Sequence, residues 1–135
     1  MMIDLVLDTN ILIYALNYDS VNYNSAITFF LNPNYKLFIT SKNISEFFGV
    51  TSKLKIPYSS SLTFYKELKN NLTVLFPSEK SLLILETLIQ QYQPKGNQVY
   101  DIEIVSIMMA NNIKYVATFN QKDFKNIHEI QILDI

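Results

Sequence analysis

The sequence predicts an α/β protein in which a mostly parallel sheet of about five strands is covered by helices on both faces, as an α/β/α sandwich. Short apolar runs typical of buried strands alternate along the chain with longer segments of helical spacing. Hydrophobic residues make up 49% of the sequence and charged residues 17%, which excludes a disordered chain and predicts a large core. The length of 135 residues favours a single domain over residues 1–135.

Five segments have the composition of strands. The first, Ile3 to Leu7, is apolar except for Asp4 and leads at once into helical spacing. Strands that alternate with helices are joined by right-handed crossovers, and such crossovers make neighbouring strands parallel. The predicted strands are residues 3–7, 37–40, 73–76, 115–118 and 130–133.

The segments between the strands are predicted as helices, because their apolar residues recur at intervals of three and four. Asn32-Pro33-Asn34 ends one helix, Pro57 separates two others, and Pro77 with Ser78 opens the next. The predicted helices are residues 11–16, 22–31, 41–52, 59–72, 78–92 and 102–111, followed by a short turn at 123–127.

Composition excludes several kinds of site. The chain has no cysteine, which rules out disulfides and thiolate zinc sites, and its one histidine, His128, cannot form a histidine metal cluster. We expect His128 to be a surface or packing residue. The two glycines are too few for a glycine-rich phosphate loop. The first residues lack a basic leader and no apolar run reaches the roughly 18 residues of a membrane span, so a soluble cytoplasmic protein is expected.

Acidic and amide side chains recur at the ends of the predicted strands. Asp8 follows the first strand, Glu46 lies one turn into the helix after the second, and Asp101 starts the helix before the fourth. Asn120 and Asp123 follow the fourth strand. In open parallel sheets, ligands bind beyond the carboxyl ends of the strands, near a topological switch point. Crowded carboxylates raise one another's pKa values unless a cation is present, so the pattern predicts a site that binds a hard divalent cation such as Mg²⁺, or that holds shared protons when empty.

Four motifs in this order resemble those of PIN domains over nearly the whole chain. They are Leu7-Asp8-Thr9-Asn10, Thr40-Ser41 with Ser45-Glu46-Phe47, Asp101-Ile102-Glu103-Ile104 leading to Met109-Ala110, and Thr118-Phe119-Asn120-Gln121-Lys122-Asp123-Phe124. No motif is specific alone, and the ordered set carries the resemblance. The likeness is greatest to the VapC-like toxins of bacterial toxin–antitoxin pairs.

The resemblance implies a PIN-like sheet of five parallel strands and a ribonuclease that uses Mg²⁺ or Mn²⁺ to hydrolyse RNA phosphodiester bonds. Asn120 stands where many relatives have a fourth acid, which weakens a second metal site, and Asp123 is the alternative at that place. The residues carried over are Asp8, Glu46 and Asp101 as catalytic metal ligands, and Thr9, Asn10 and Thr118 as groups that orient the carboxylates and water.

The resemblance also implies partners. RNA would be the substrate, and a small DNA-binding antitoxin would neutralise the protein by placing a basic side chain in the acidic pocket. A homodimer held partly by the N-terminal helices is expected.

The distribution of charge bears on RNA binding, because affinity for a phosphate backbone comes mainly from neutralising its charges. The net charge is −1, but residues 36–69 carry six lysines against two glutamates. The candidates for RNA contacts are Lys42, Lys53 and Lys55 in this basic segment, together with Tyr14 near the first motif. All eleven basic residues are lysine, so the chain offers no arginine for bidentate phosphate contacts.

Each acid also has a simpler explanation as a helix cap. Asp8, Asp101 and Asp123 precede or begin helical segments, and Glu46 lies where it could join a capping box with Asn43. Capping does not explain why three of these acids also match one ordered family pattern.

Other functions fit the sequence less well. A phosphorelay receiver domain would have a phospho-acceptor aspartate after its third strand, where this chain has Phe76-Pro77-Ser78. A haloacid-dehalogenase-type phosphatase would have Asp-x-Asp after its first strand, where Asn10 takes the second place. The main alternative to a nuclease is a PIN-like fold that binds RNA or protein without catalysis, its metal site weakened by Asn120.

Overall fold

Five parallel strands form one sheet with β1 at its centre. The computed structural model describes residues 2–133, so residues 1, 134 and 135 of the predicted domain lie outside the described part. The strands are β1 (Ile3–Leu7), β2 (Tyr35–Thr40), β3 (Thr73–Leu75), β4 (Tyr115–Ala117) and β5 (Gln131–Ile132), in the order β3-β2-β1-β4-β5. All four pairings are parallel, which confirms the predicted class of fold.

Helices connect the strands. They are α1 (Thr9–Leu16), α2 (Tyr23–Leu31), α3 (Ser41–Lys53), α4 (Tyr58–Lys69), α5 (Glu79–Tyr92) and α6 (Gln98–Ala110), and a 3₁₀ turn covers Gln121–Asp123. Capping boxes begin two of them, formed by Thr40 with Asn43 at α3 and by Ser78 with Ser81 at α5. Within residues 2–133, no helix is both long enough and apolar enough to cross a membrane.

Side chains of the strands alternate between the two faces of the sheet, as the pleat of a strand requires. In β1, Leu5 and Leu7 pack with helices α1 to α4, whereas Val6 packs with α5 and α6. All three side chains are fully buried, and burial of each contributes about 2 kcal/mol. A core therefore lies on each face, and the predicted α/β/α sandwich is confirmed.

The predicted boundaries differ from the observed ones where exposed residues begin or end an element. Helix α6 begins at Gln98, four residues before its predicted start, because its first turn is only partly buried and lacks the apolar spacing of the rest. Helix α4 ends at Lys69 rather than at residue 72. The turn predicted at 123–127 is preceded by the 3₁₀ turn at Gln121–Asp123. Asp101 therefore lies inside the first turns of α6 and does not start the helix.

The order of the strands creates a switch point beside β1. β2 and β3 lie in sequence order on one side of β1, and the chain then crosses over to β4 on the other side of β1. Leu7 and Ala117, the last residues of β1 and β4, are paired in the register of the two strands. The carboxyl ends of these two strands therefore lie side by side, where open parallel sheets bind their ligands.

Candidate metal centre

Asp8 is the first residue after β1, and three hydrogen bonds hold its carboxylate. Its Oδ1 accepts from the backbone N–H of Thr9 at 2.8 Å, and its Oδ2 accepts from the Thr118 hydroxyl at 2.8 Å and the Asn10 amide at 3.3 Å. Thr118 follows β4, so the pairing of β1 with β4 brings these residues together. The carboxylate is 7% exposed and its direction is fixed at the switch point.

Asn10 ties α1 to the segment that follows β4. Its amide nitrogen donates to Oγ1 of Thr118 at 3.2 Å, and its Oδ1 accepts from the backbone N–H of Phe119 at 3.2 Å. Oγ1 of Thr118 also accepts from the backbone N–H of Asn120 at 3.0 Å. Because the Thr118 hydroxyl has one proton and donates it to Asp8, these contacts determine its orientation.

A second set of hydrogen bonds links α1 to α3 through Asn43, a residue that the sequence suggested only as part of a cap. Its amide nitrogen donates to Oγ1 of Thr9 at 3.1 Å, and its Oδ1 accepts from the backbone N–H of Thr40 at 3.0 Å and the Thr40 hydroxyl at 2.7 Å. Asn43 and Thr40 are fully buried. The three-residue spacing of Thr40 and Asn43 signals a cap, but no local pattern shows that Asn43 reaches Thr9.

At the carboxyl end of the sheet, the charges of neighbouring carboxylates act on Asp8 and Asp101. The pKa of Asp8 is raised to about 6, mainly by burial and also by the charges of Glu46 and Asp123, although its hydrogen bonds with the threonines lower it. The pKa of Asp101 is raised to about 7 by burial and then by Asp123, Asp8 and Glu46. The structure thus brings acids from four parts of the chain close enough for their charges to interact.

The chemistry of these groups fits a hard divalent cation. Carboxylate oxygens are the ligands that Mg²⁺ and Mn²⁺ prefer, and a cation would stabilise the charged carboxylates that burial and, to a smaller extent, mutual repulsion disfavour. Within residues 2–133, no three acidic or histidine side chains are already arranged to hold an ion. Glu46 and Asp123 are exposed, whereas Asp8 is fixed. Ion binding therefore requires the exposed side chains to turn towards Asp8 and Asp101.

The capping explanation holds for one of the four acids. Asp8 caps α1 through its bond with the first backbone N–H of that helix. Glu46, Asp101 and Asp123 are not caps, so that alternative is wrong for them. The N-cap residues of α3, α6 and the 3₁₀ turn are Thr40, Asn97 and Asn120.

Two of the remaining predicted residues are found at the segment that follows β4: Asn120 belongs to it and Tyr14 packs against it. Asn120 is exposed, and its bond with Thr118 uses its backbone N–H and not its side chain. Tyr14 packs edge-on against Phe119, with ring centroids 5.0 Å apart. The Tyr14 ring is therefore near this segment but is engaged in packing on one side.

The predicted RNA-contacting lysines are in different places. The Lys42 ammonium is 3.6 Å from the Glu103 carboxylate and 5.7 Å from the centroid of the Tyr100 ring, so it bridges α3 and α6. Lys53 ends α3, about 16 Å further along the axis at the usual helical rise, and Lys55 follows it. Both are exposed. Only Lys42 of the three reaches α6, the helix that carries Asp101.

Comparisons with known proteins cover nearly the whole chain. The family model described as PIN domain matches residues 5–130. A chain in the structure of VapBC2 from Rickettsia felis, bound to a DNA fragment from its promoter, is 26% identical with a TM-score of 0.74, covering 98% of this chain and 99% of that one. A chain of VapBC-1 from nontypeable Haemophilus influenzae is also 26% identical, with a TM-score of 0.69 and coverage of 98% of both chains.

More distant structures share the fold. The sarcin-ricin loop cleaving toxin VapC20 of Mycobacterium tuberculosis is 11% identical, with a TM-score of 0.71 over 94% of this chain and 98% of that one. No curated protein matches the sequence significantly.

Proposed function

The chain belongs to the PIN domain family, and from that premise we propose that it is a metal-dependent endoribonuclease that hydrolyses RNA phosphodiester bonds. We propose further that it acts as the toxin of a toxin–antitoxin pair. One observation carries the enzymatic part: at the switch point of the sheet, three hydrogen bonds hold the buried Asp8 carboxylate, and burial together with the charges of Glu46 and Asp123 raises the pKa values of Asp8 and Asp101. Such a concentration of acids is unfavourable in a protein that binds no cation.

In this proposal Asp8, Glu46 and Asp101 hold Mg²⁺ or Mn²⁺. The ion, when bound, supplies positive charge that makes water more acidic and stabilises the charge developing on phosphate. The bonds from Thr9, Asn10 and Thr118 keep Asp8 pointing in one direction. A fixed ligand needs little reorganisation on binding, which is the advantage of such supporting bonds.

The carboxylates differ in their freedom to take a proton. Both oxygens of Asp8 accept hydrogen bonds. Glu46 is exposed and Asp101 is half-buried, and no hydrogen bond contributes to the raised pKa of Asp101. We propose that one of these two residues takes the proton of the attacking water.

Asp123 is the better candidate for the fourth acid of the site. Asn120 contributes no charge, and its backbone rather than its side chain bonds Thr118. The charge of Asp123, in contrast, raises the pKa values of both Asp8 and Asp101. We therefore propose that Asp123 supplies the fourth carboxylate of the site, because Asn120 has none.

The proposed partners follow from the relatives. Two similar chains belong to VapBC assemblies, one of them bound to promoter DNA. By analogy, a small DNA-binding antitoxin would bind this chain and place a basic group near the acids, where it would be attracted by their charge. An RNA substrate and such a partner imply action in the cytoplasm, and we propose a homodimer as the assembly. RNA contacts are assigned to Lys42, Lys53, Lys55 and Tyr14.

Cleavage of purified RNA tests the enzymatic proposal. Folded protein free of any partner is incubated with total RNA in Mn²⁺, in Mg²⁺ and in chelator, beside Asp8→Ala and Asp101→Asn. We expect cleavage by wild type with either metal, loss of at least about a hundredfold in both variants, and no cleavage in chelator. Glu86→Gln, an exposed carboxylate on α5, is the matched control and should cleave normally.

Two results would contradict the proposal. Intact RNA under all conditions would favour the non-catalytic binding module, for which the uncharged Asn120 is the supporting observation. Equal cleavage by wild type and Asp8→Ala would show that the acids are not the active site.

The toxin role has its own test. Expression of the wild type in bacteria should arrest growth, while Asp101→Asn at the same level should not. Growth that is equally impaired by both proteins would separate toxicity from the acidic site and count against this role.

A further inference from the structure

Two cavities open on either side of the first turns of α6. The first, here called the α5–α6 cavity, has a volume of about 180 Å³, and its lining includes Tyr92, Gln98, Ile102, Lys122, Asp123 and Asn126. The second, here called the α3–α6 cavity, has a volume of about 270 Å³ and is lined by Lys42, Ser45, Glu46, Tyr100 and Ile104. Each volume is several times that of a water molecule, so each cavity is large enough for a group bigger than water.

Asp101 lies between the two cavities. Gln98 and Ile102 are four residues apart and line the α5–α6 cavity, while Tyr100 and Ile104 have the same spacing and line the α3–α6 cavity. At about 100° per residue, Asp101 projects between these two faces of the helix. A ligand centred on Asp101 therefore has a cavity on each side.

The two cavities offer the same set of groups. Each has one lysine that can contact a phosphate, one tyrosine ring, and one acid whose charge acts on Asp101; in the α3–α6 cavity the Lys42 ammonium lies 5.7 Å from the centroid of the Tyr100 ring, so a base would stack on the opposite face of that ring. The three groups are Tyr92, Lys122 and Asp123 in the α5–α6 cavity, and Tyr100, Lys42 and Glu46 in the α3–α6 cavity.

The α5–α6 cavity also contains two amides that can recognise the edge of a base. Oε1 of Gln98 accepts from the backbone N–H of Lys95 at 2.9 Å, which holds the amide in place and leaves its NH₂ group as the donor. Asn126 is exposed and lines the same cavity. The Gln98 NH₂ group can donate to an acceptor atom of a base edge, and the Asn126 amide can donate and accept; in RNA such edges are accessible where the strand is single.

Given the proposed ribonuclease function, we propose that these cavities bind the two nucleotides on either side of the scissile phosphate of a single-stranded RNA. The strand crosses the first turns of α6, with the phosphate at Asp101 and the two bases separated into opposite cavities. Gln98 and Asn126 select the base in the α5–α6 cavity, whereas the Tyr100 ring holds its neighbour by stacking. A continuous double helix keeps its bases stacked and does not fit this arrangement.

The base preference of cleavage tests the assignment. Rates of cleavage are compared for single-stranded RNAs that differ only at the two nucleotides flanking the cut. The proteins are the wild type, the double variant Gln98→Ala with Asn126→Ala, and Tyr100→Ala. The amide variant should lose preference on one side of the cut and Tyr100→Ala on the other, each with kcat/KM lowered by at least about fivefold. The controls are Gln90→Ala and Tyr58→Ala, exposed residues that line neither cavity. Unchanged preference at both positions would overturn the proposal.

Binding measured without cleavage separates this inference from the proposed function. In the Asp101→Asn protein, Lys122→Ala should weaken binding of a single-stranded tetranucleotide by at least about fivefold, while Lys125→Ala, three residues away and outside the cavity, should not. If wild type cleaves no RNA, the enzymatic proposal fails, and this measurement still decides the subsites. Equal affinities of the Lys122 and Lys125 variants would overturn them.

Discussion

At the scale of single residues, the two aspartates at the centre of the site are held in different ways. Asp8 is buried and accepts three hydrogen bonds, which partly offset the cost of burying its charge. Nothing of this kind offsets the burial of Asp101, so its pKa is raised further, to about 7 against about 6 for Asp8. The fixed carboxylate of Asp8 is suited to binding an ion. The protonation of Asp101 should respond more strongly to pH and to a bound ion.

The metal-free protein should lose stability as the pH rises from about 4 to about 7. The pKa values of Asp8 and Asp101 are raised in the folded protein from 3.8 to about 6 and about 7. In that range the folded protein binds more protons than the unfolded chain, so a rise in pH favours unfolding. Thermal unfolding in chelator should therefore show a midpoint that falls across this range, and Mn²⁺ should restore it at pH 7.5.

Removal of one acid provides the control for that pH dependence. At pH 7.5 without metal, Asp101→Asn should melt about 4 °C higher than wild type, equivalent to about 1 kcal/mol in a domain of this size. Its response to Mn²⁺ should be much reduced. Glu86→Gln should behave as wild type. A wild-type midpoint that does not change between pH 4.5 and 7.5 would contradict the raised pKa values of Asp8 and Asp101.

Thr118 positions the Asp8 carboxylate through its hydroxyl bond. The variant Thr118→Val should therefore change the pH dependence of cleavage. The hydroxyl bond from Thr118 lowers the pKa of Asp8, so its loss should raise that pKa and move the acidic limb of the rate profile to higher pH. We expect kcat to fall about tenfold with little change in KM. Thr118→Ser keeps the hydroxyl and should restore both. A uniform loss of rate with no movement of the profile would indicate a structural role alone.

At the scale of elements, α3 and α5 begin in the same way but differ in what their caps contact. The capping box of α5, Ser78 with Ser81, involves only the start of that helix. In the box of α3, Asn43 also reaches Thr9 of α1, next to Asp8. The start of α3 therefore fixes the helix that carries Glu46 relative to the residues around Asp8.

The two capping boxes allow a matched comparison. Asn43→Ala removes buried hydrogen bonds and should lower the free energy of unfolding by about 2–3 kcal/mol, while Ser81→Ala should lower it by about 1 kcal/mol. Urea denaturation measures both losses. The rate of RNA cleavage, measured where both variants are fully folded, should fall only for Asn43→Ala. Equal rates in the two variants would show that the link between Asn43 and Thr9 does not serve the site.

At the scale of the whole molecule, the acidic centre and the basic residues at the far end of α3 are separated by the length of that helix. Lys42 is beside the centre, whereas Lys53 is about 16 Å further along the axis of α3 and Lys55 lies just beyond the end of that helix. An RNA must be several nucleotides long to contact both regions. Affinity for RNA should therefore depend on length through these lysines.

Binding of RNAs of two lengths tests this arrangement in the Asp101→Asn protein. Lys53→Ala with Lys55→Ala should weaken binding of a long single strand and lower its salt slope by about 1.4, but should leave a tetranucleotide unaffected. Lys42→Ala should weaken both, and Lys80→Ala, an exposed lysine of α5, neither. If the Lys53 and Lys55 variant binds the long strand as well as wild type does, those residues are not RNA contacts.

The sequence by itself determined the class of fold and predicted a kind of chemistry. Alternating apolar strands and amphipathic helices are local patterns, and they were sufficient to predict a parallel sheet covered on both faces. The positions of Asp8, Glu46 and Asp101 relative to strand ends are local too, so a site of oxygen ligands could be predicted. Boundaries such as the start of α6 at Gln98 were missed, because an exposed first turn carries no apolar pattern.

Only the tertiary structure decided which groups meet. The order β3-β2-β1-β4-β5 sets β1 beside β4, and this places Thr118 against Asp8 although 110 residues separate them. The same packing brings Asn43 to Thr9, lets Asp123 act on Asp101, and opens a cavity on each side of α6. These contacts depend on strand order and on the directions of the helices. Both are set by burial of the two cores, which is a property of the whole chain and not of any local segment.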